Sequence, residues 1–403
     1  MTAIRRSPSN LVKYQSITLE NIMETLIGQG MGFHFGKPKR VEDKGLAVVL
    51  PLLRDGEIGR DYLTYSETDG VIATDSGLIN KVNLKNTTDQ KVFVRSGTVF
   101  AGKGTQSRTI TRSTVLYPGK EVALDARCVH ASHGIHQGNK FENYGTISID
   151  VERSVYGAGF TPRDQGVYWS AVSASNVMKS SYTEGSNNVS STLASNDVSA
   201  TLTSNLEDAE LTRGGSLRSR LSGLHDDSTW QQRAASRATF GRAQGAAHSP
   251  GRIICPSPQT PKMDSFVAGD TVFTANLDDI LSKVKLHDNQ VGISLITDRG
   301  VETIELFEVH QSWAALHKDS VKRMGTELIK EETEDVFEYR PEKAIEQVTR
   351  VLALDYDANV IFEHKAEGAD SLIITGLTSA SHIGEAVELG GKLIHLSLLK
   401  RAA

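Results

Sequence analysis

Residues 127 to 138 read RCVHASHGIHQG and gather Cys128, His130, His133 and His136 into one short stretch. On a β-strand alternate residues share a face, so Cys128, His130 and His136 would project together while His133 points the other way. A thiolate with two imidazoles suits zinc and leaves an open coordination position for hydrolytic chemistry. Histidines that titrate near neutrality also serve as general acid and base without a metal, which makes His130 and His136 the candidate catalytic residues. Gly134 and Gly138 interrupt the strand pattern, and no C-x-x-C or second histidine pair accompanies the stretch. Surface or hydrogen-bonded histidines therefore stand beside the metal reading, and no metal is assigned.

A second stretch, FAGKGTQSR at 100 to 108, could take an anion. Gly102 and Gly104 would let backbone approach a ligand closely, and Lys103, Gln106 and Arg108 are the candidate ligand-binding residues. Arginine offers a fork matched to phosphate, and glutamine can pair with a base or a hydroxyl. The plain alternative is a glycine hairpin with a charged edge. Neither G-x-x-x-x-G-K-[ST], G-x-G-x-x-G between strand and helix, G-x-S-x-G nor H-E-x-x-H occurs, so the sequence identifies no cofactor.

The elements that must position these residues follow from periodicity. Residues 1–44 form an extension with a short amphipathic helix around TLENIMETLIGQG and a basic KPKR at 37 to 40, read as a solvated turn with a nucleic-acid or partner patch as the alternative. From 45 to 179 the chain is strand-like: GLAVVLPLL, KVNLKN, QKVFVRSG, STVLYPGKEVALDARCV with its Pro-Gly turn, and YGTISIDVE, followed by one short helix, QGVYWSAVSASNVMKS. Residues 180–252 are rich in Ser, Thr and Asn and then in Arg, too poor in apolar groups to offset the entropy of ordering, and are expected to be largely disordered. Seven arginines between 213 and 252, with Trp230 and Phe240 among them, would suit an acidic partner, RNA or a neighbouring subunit; a tolerated surface insertion is the alternative. From 253 to 403 a hairpin at HDNQVGISLITDRGVETIELF, a long amphipathic helix at EVHQSWAALHKDSVKRMGTELIKE and a helix at RPEKAIEQVTRVLAL precede further strands. The fold class is α+β: a mostly antiparallel sheet or sandwich with a few amphipathic helices, interrupted by the long insertion.

Composition narrows the setting. The 403 residues carry 44 basic and 49 acidic groups, a net charge of −5 that argues against whole-protein affinity for nucleic acid or anionic membrane. Cys128 and Cys255 are too few for a disulfide framework and read as reduced thiols. With no secretory signal and no membrane-length apolar run, the expectation is a soluble, cytoplasmic protein.

The segment KGLAVVLPLLRDGEIGRDYLTYSETDGVIAT, with INKVNLKNTTDQKVFVRSGTVFAGKGTQSRTITRSTVLYPGKEVALDARCVHASHG, resembles the ARPP family, named for association with ADP-ribosylglycohydrolases and rhodanese-type phosphatases. GISLITDRGVETIELFEVHQSWAALHKDSVKRMGTELI and GGKLIHLSLLK are similar to its C-terminal half, so the resemblance spans about 45–179 and 253–400. It carries the family's glutamine and arginine onto Gln106 and Arg108 and its cysteine onto Cys128. Thr98 and His130 stand where relatives have acidic residues, and Gly134 stands near an expected tryptophan. If those carboxylates are bases or ligands in relatives, this chain has lost or remodelled that role. The resemblance implies binding or processing of a nucleotide such as ADP-ribose in NAD-related metabolism, with Lys103, Gln106 and Arg108 on phosphate or ribose. It makes Cys128 a buried strand residue. The alternative is a non-enzymatic, homo-oligomeric scaffold that uses the N-terminal arm and the Arg-rich insertion. Enzymatic activity stays open between the two.

Overall fold

Strands with continuous apolar sequence and strands with alternating sequence fold into different sheets. The computed structural model describes residues 33–41, 47–56, 59–102, 106–129, 135–154, 165–185, 282–328, 341–364 and 371–401. The helix expected near 17–29, Lys103, His130, His133, Cys255, and the insertion beyond 185 with its arginines lie outside these residues.

The alternating strands close into a six-stranded barrel. In order around it run β11 (Glu121–Cys128), β6 (Lys81–Asn86), β5 (Val71–Asp75), β12 (Lys140–Thr146), β8 (Thr98–Gly102) and β9 (Arg108–Ile110), which returns to β11. Val82, Leu84, Leu124 and Ala126 fill its interior, as period-two alternation demands. Closure removes the sheet edges that an open sandwich would expose. A second layer of β10 (Thr114–Leu116), β7 (Lys91–Val94) and β4 (Tyr62–Thr64) lies alongside, with β4 and β7 parallel.

The continuous strands build a nine-stranded sheet ordered β1 (Phe33–Phe35), β3 (Val48–Arg54), β13 (Gln290–Thr297), β14 (Gly300–Phe307), β18 (Lys392–Lys400), β17 (His382–Leu389), β16 (Leu372–Thr378) and β15 (Asp357–His364), with β2 (Lys39–Arg40) also on β3. Every residue of β13 is buried because both sheet faces are covered. Val48, Leu50, Leu52, Ile304 and Leu306 pack on one side against Ala344, Val348, Val351 and Leu352 of the helix Pro341–Leu352. Val49, Ile293, Leu295 and Phe307 pack on the other side with the barrel layer and with Trp313 and Leu316 of the helix His310–Arg323. Strand β3, before the insertion, thereby pairs with β13, after it.

The hairpin and the helix at 310 form as their patterns require, while three boundaries differ. YGTISIDVE is strand only to Thr146, because Ser148 starts a short helix, Ile149–Glu152. The long helix stops at Met324 and restarts at Gly325. The helix at QGVYWSAVSASNVMKS runs over Gln165–Gly185, beyond the compositional boundary at 180. Among the described residues no helix is long and apolar enough to cross a membrane.

Candidate functional site

Antiparallel register brings the ends of four barrel strands together. Cys128, the last residue of β11, stands opposite Arg108, the first of β9, and Phe100 of β8 pairs with Arg108 on its other side. Asp75, the last residue of β5, arrives next to Val82 of β6. Arg108, Asp75 and Cys128 are each buried to within 1 % of complete, and Gln106 to within 4 %.

Gln106 is the hub. Its Oε1 accepts from the Cys128 thiol at 2.9 Å and from Arg108 Nη1 at 3.2 Å, and its carbonyl accepts from Arg108 Nη1 at 3.0 Å. The thiol also lies 3.3 Å from the carbonyl of Ile79. In this geometry the thiol serves as a hydrogen-bond donor inside the protein. Asp75 accepts the backbone N–H groups of Gly77 at 2.8 Å and His136 at 3.1 Å. Its Oδ2 stands 3.8 Å from Arg108 Nη2, an ion pair beyond hydrogen-bond reach. The Nε and Nη2 atoms of Arg108 are buried with no hydrogen-bond partner.

A helix fixes the outside of this end. Gln165 and Trp169, one turn apart, both donate to the Cys128 carbonyl, at 2.8 and 2.9 Å, and Gln165 Oε1 accepts the Cys128 N–H at 3.2 Å. Tyr168 reaches inward to Thr109 Oγ1 at 3.0 Å, and burial pushes its phenol above the ordinary range. His136 and the residues after it are exposed, so the barrel end lies at the surface. Of the sequence candidates, the structure joins Gln106, Arg108 and Cys128, ties the His136 backbone to Asp75, and leaves Lys103 and His130 outside the described residues. Asp75, Gln165 and Trp169 went unnoticed in sequence, because only the pairing of distant strands brings them here. Among the described residues no group of three or more His, Cys, Asp or Glu side chains could hold a metal.

The opposite barrel end carries a buried charge cluster, also unforeseen. Arg95 Nη1 donates to Glu305 Oε1 at 2.8 Å and to Ser320 Oγ at 2.7 Å. Arg323 bridges Glu305 Oε2, at 3.2 Å, and Glu152 Oε2, at 2.6 Å from its Nε. His395 Nε2 lies 3.3 Å from Glu305, its ring between Phe93 and Phe307. Glu385 accepts the backbone N–H and hydroxyl of Ser113 and has no ion-pair partner among the described residues. A small cavity among Ser96, Glu152, Glu385 and Ser397 completes the cluster. Burial alone would raise Glu305, but Arg95 and Arg323 outweigh it and hold the carboxyl well below its usual range. Burial prevails at Glu152, whose carboxyl is raised despite Arg323. Thr98, where the ARPP resemblance places an acid, donates to the Arg95 carbonyl at 2.7 Å, so it belongs to this end and not to that of Arg108.

The fold is therefore an antiparallel barrel docked through buried charges onto a larger antiparallel sheet, with a polar site at the barrel's outer end. Residues 32–219 match the family model of the ARPP-1 domain, the ARG and Rhodanese-Phosphatase-superfamily-associated Protein domain. The resemblance read from the first half of the chain is thus shown; the segment 253–400 lies outside the matched residues. No curated protein and no solved structure matches the chain.

Proposed function

We propose that the outer barrel end binds a phosphate-bearing nucleotide such as ADP-ribose, with Gln106 and Arg108 as its polar floor. The observation that carries this reading is the Nε and Nη2 edge of Arg108, buried and without a hydrogen-bond partner, with Asp75 only within ion-pair distance at 3.8 Å. That edge is the fork with which a guanidinium grips phosphate, and leaving it unmade costs stability with no structural return. Arg54, Arg95, Arg127 and Arg153 also have buried atoms without a hydrogen-bond partner, and each donates elsewhere: Arg54 to the Glu308 carbonyl, Arg95 to Glu305, Arg127 to the Ala126 carbonyl, and Arg153 to Glu302 and Glu327. Lys103 adds charge to the same sequence stretch, and His130 and His136 supply acid–base groups for any turnover of the bound nucleotide. The domain's association with ADP-ribosylglycohydrolase and rhodanese-phosphatase families supports this ligand class. Calorimetric titration tests it: ADP-ribose or NAD binds the native chain, and Arg108→Lys, which keeps a cation beside Asp75 but loses the guanidinium fork, binds it more weakly. Absence of binding to the native chain overturns the reading.

A second reading, homo-oligomeric assembly, draws on β15. This eight-residue strand ends the sheet, its pattern is exposed or half-exposed throughout, and Val360 is 39 % exposed. Such an edge offers unpaired backbone groups to a further strand. Light scattering after size exclusion tests it, and a monomer at all concentrations speaks against it.

A further inference from the structure

Three of the large apolar side chains left exposed among the described residues sit at the same barrel end: Leu78 at 57 %, Ile79 at 42 % and Ile135 at 39 %. Each is tied to the polar floor within one residue. The Ile79 carbonyl takes the Cys128 thiol, Leu78 follows Gly77 whose N–H binds Asp75, and Ile135 precedes His136 whose N–H binds the same carboxylate. Across Cys128 stands Trp169, half-buried, with its indole N–H fixed on the Cys128 carbonyl. The three apolar side chains and the indole thus border the end of the barrel that holds the Arg108 guanidinium. Ligand sites characteristically combine an apolar lining with a few convergent polar groups.

We propose that Leu78, Ile79, Ile135 and the Trp169 indole form the seat for a flat heterocyclic base, whose phosphate-bearing end is directed at Arg108. This deepens the nucleotide reading and rests on it. The seat selects nucleosides carrying phosphate over bare phosphates, because aliphatic and indole surfaces gain from covering a base and gain nothing from an inorganic anion.

The experiment titrates adenosine diphosphate, adenosine and inorganic pyrophosphate into the full chain and into the double variant Leu78→Ser/Ile135→Ser. Both positions are exposed, and circular dichroism confirms that the variant folds. The expected result is about a tenfold loss of adenosine diphosphate affinity in the variant, with pyrophosphate unchanged. Tryptophan emission shifts with adenosine diphosphate and not with pyrophosphate, and Trp169→Phe abolishes the shift. Equal affinities in variant and native chain overturn the base seat while leaving the phosphate reading of Arg108 intact. Failure of the native chain to bind any of the three overturns both.

Discussion

Cys128 and Arg108 face each other across the β9–β11 ladder, and one oxygen, Gln106 Oε1, accepts from both. The thiol is thereby a structural donor that holds the glutamine, and the glutamine in turn orients the arginine. The chain's most reactive residue type is used here for positioning.

Chemical labelling follows from that arrangement. In a Cys255→Ser background, Cys128 is expected to resist a thiol reagent in the folded protein and to react fully in urea, since its sulfur is buried and hydrogen-bonded. Cys128→Ser keeps a donor for Gln106, whereas Cys128→Ala leaves the acceptor short of one bond and costs about 1–3 kcal/mol. Fast labelling of the native state would contradict the buried-donor role.

The two carboxylates of the sheet junction predict opposite mutational outcomes. Glu305 binds Arg95 and Arg323, so Glu305→Gln strands two buried cations and is expected to cost about 3–5 kcal/mol. Glu385 hydrogen-bonds Ser113 and has no ion-pair partner among the described residues, so Glu385→Gln separates no described ion pair and is expected to be neutral or stabilising. Urea midpoints at unchanged slope measure both, and equal losses would refute the distinction.

Stability against pH carries a signature of the same cluster. Glu305 of the cluster, and Glu302, which pairs separately with Arg153, Arg299 and Lys400, lie below the ordinary value of 4.5, so the stability they contribute is present above it and is lost as pH falls through their folded values. Glu152 lies above 4.5, so its folded form holds a proton more tightly and that contribution is lost as pH rises through the folded value. Unfolding temperatures across pH should show Glu305→Gln flattening the acid limb and Glu152→Gln flattening the decline on the other side. Unchanged slopes in both variants would sink the assignment.

A steric prediction concerns the sheet. A Cβ on Gly384 would lie 1.9 Å from the Ser397 carbonyl oxygen, and one on Gly292 2.2 Å from that of Glu305. Backbone on a neighbouring central strand cannot yield as a side chain would, so Gly384→Ala and Gly292→Ala are expected to cost about 3 kcal/mol or more. Gly119→Ala, at a turn with open space, serves as the milder comparison. Soluble expression and thermal unfolding give the measurement.

Local grammar made much of the fold legible. The Asp-Arg-Gly turn located β13 and β14, and apolar spacing located the helix around Trp313. Barrel closure was hidden, because it depends on β9 pairing with both β8 and β11, which no single segment encodes. The burial of Glu305 was not legible either, because a carboxylate on a strand enters protein only where both sheet faces are covered. At the candidate site Gln106 and Arg108 were readable as types, whereas Asp75 and Trp169 acquire meaning only through register and helix docking. Spacing made Cys128 a ligand candidate and the resemblance made it a buried strand residue; it is buried at the end of β11, and only its partners there show its thiol as a donor.

Strand β3 lies between β1 and β13 in the nine-stranded sheet, so residues 48–54 are stitched to residues 290–297 by a continuous ladder. The barrel strands all fall between 71 and 146, and in the nine-stranded sheet β1, β2 and β3 precede them while β13 to β18 run from 290 onward. The covalent path from 185 to 282 is thus not what joins the two halves: the β3 ladder and the Arg95 and Arg323 ion pairs hold them independently of it. In genetic terms, the segments on either side of the insertion are two complementary halves written in one reading frame.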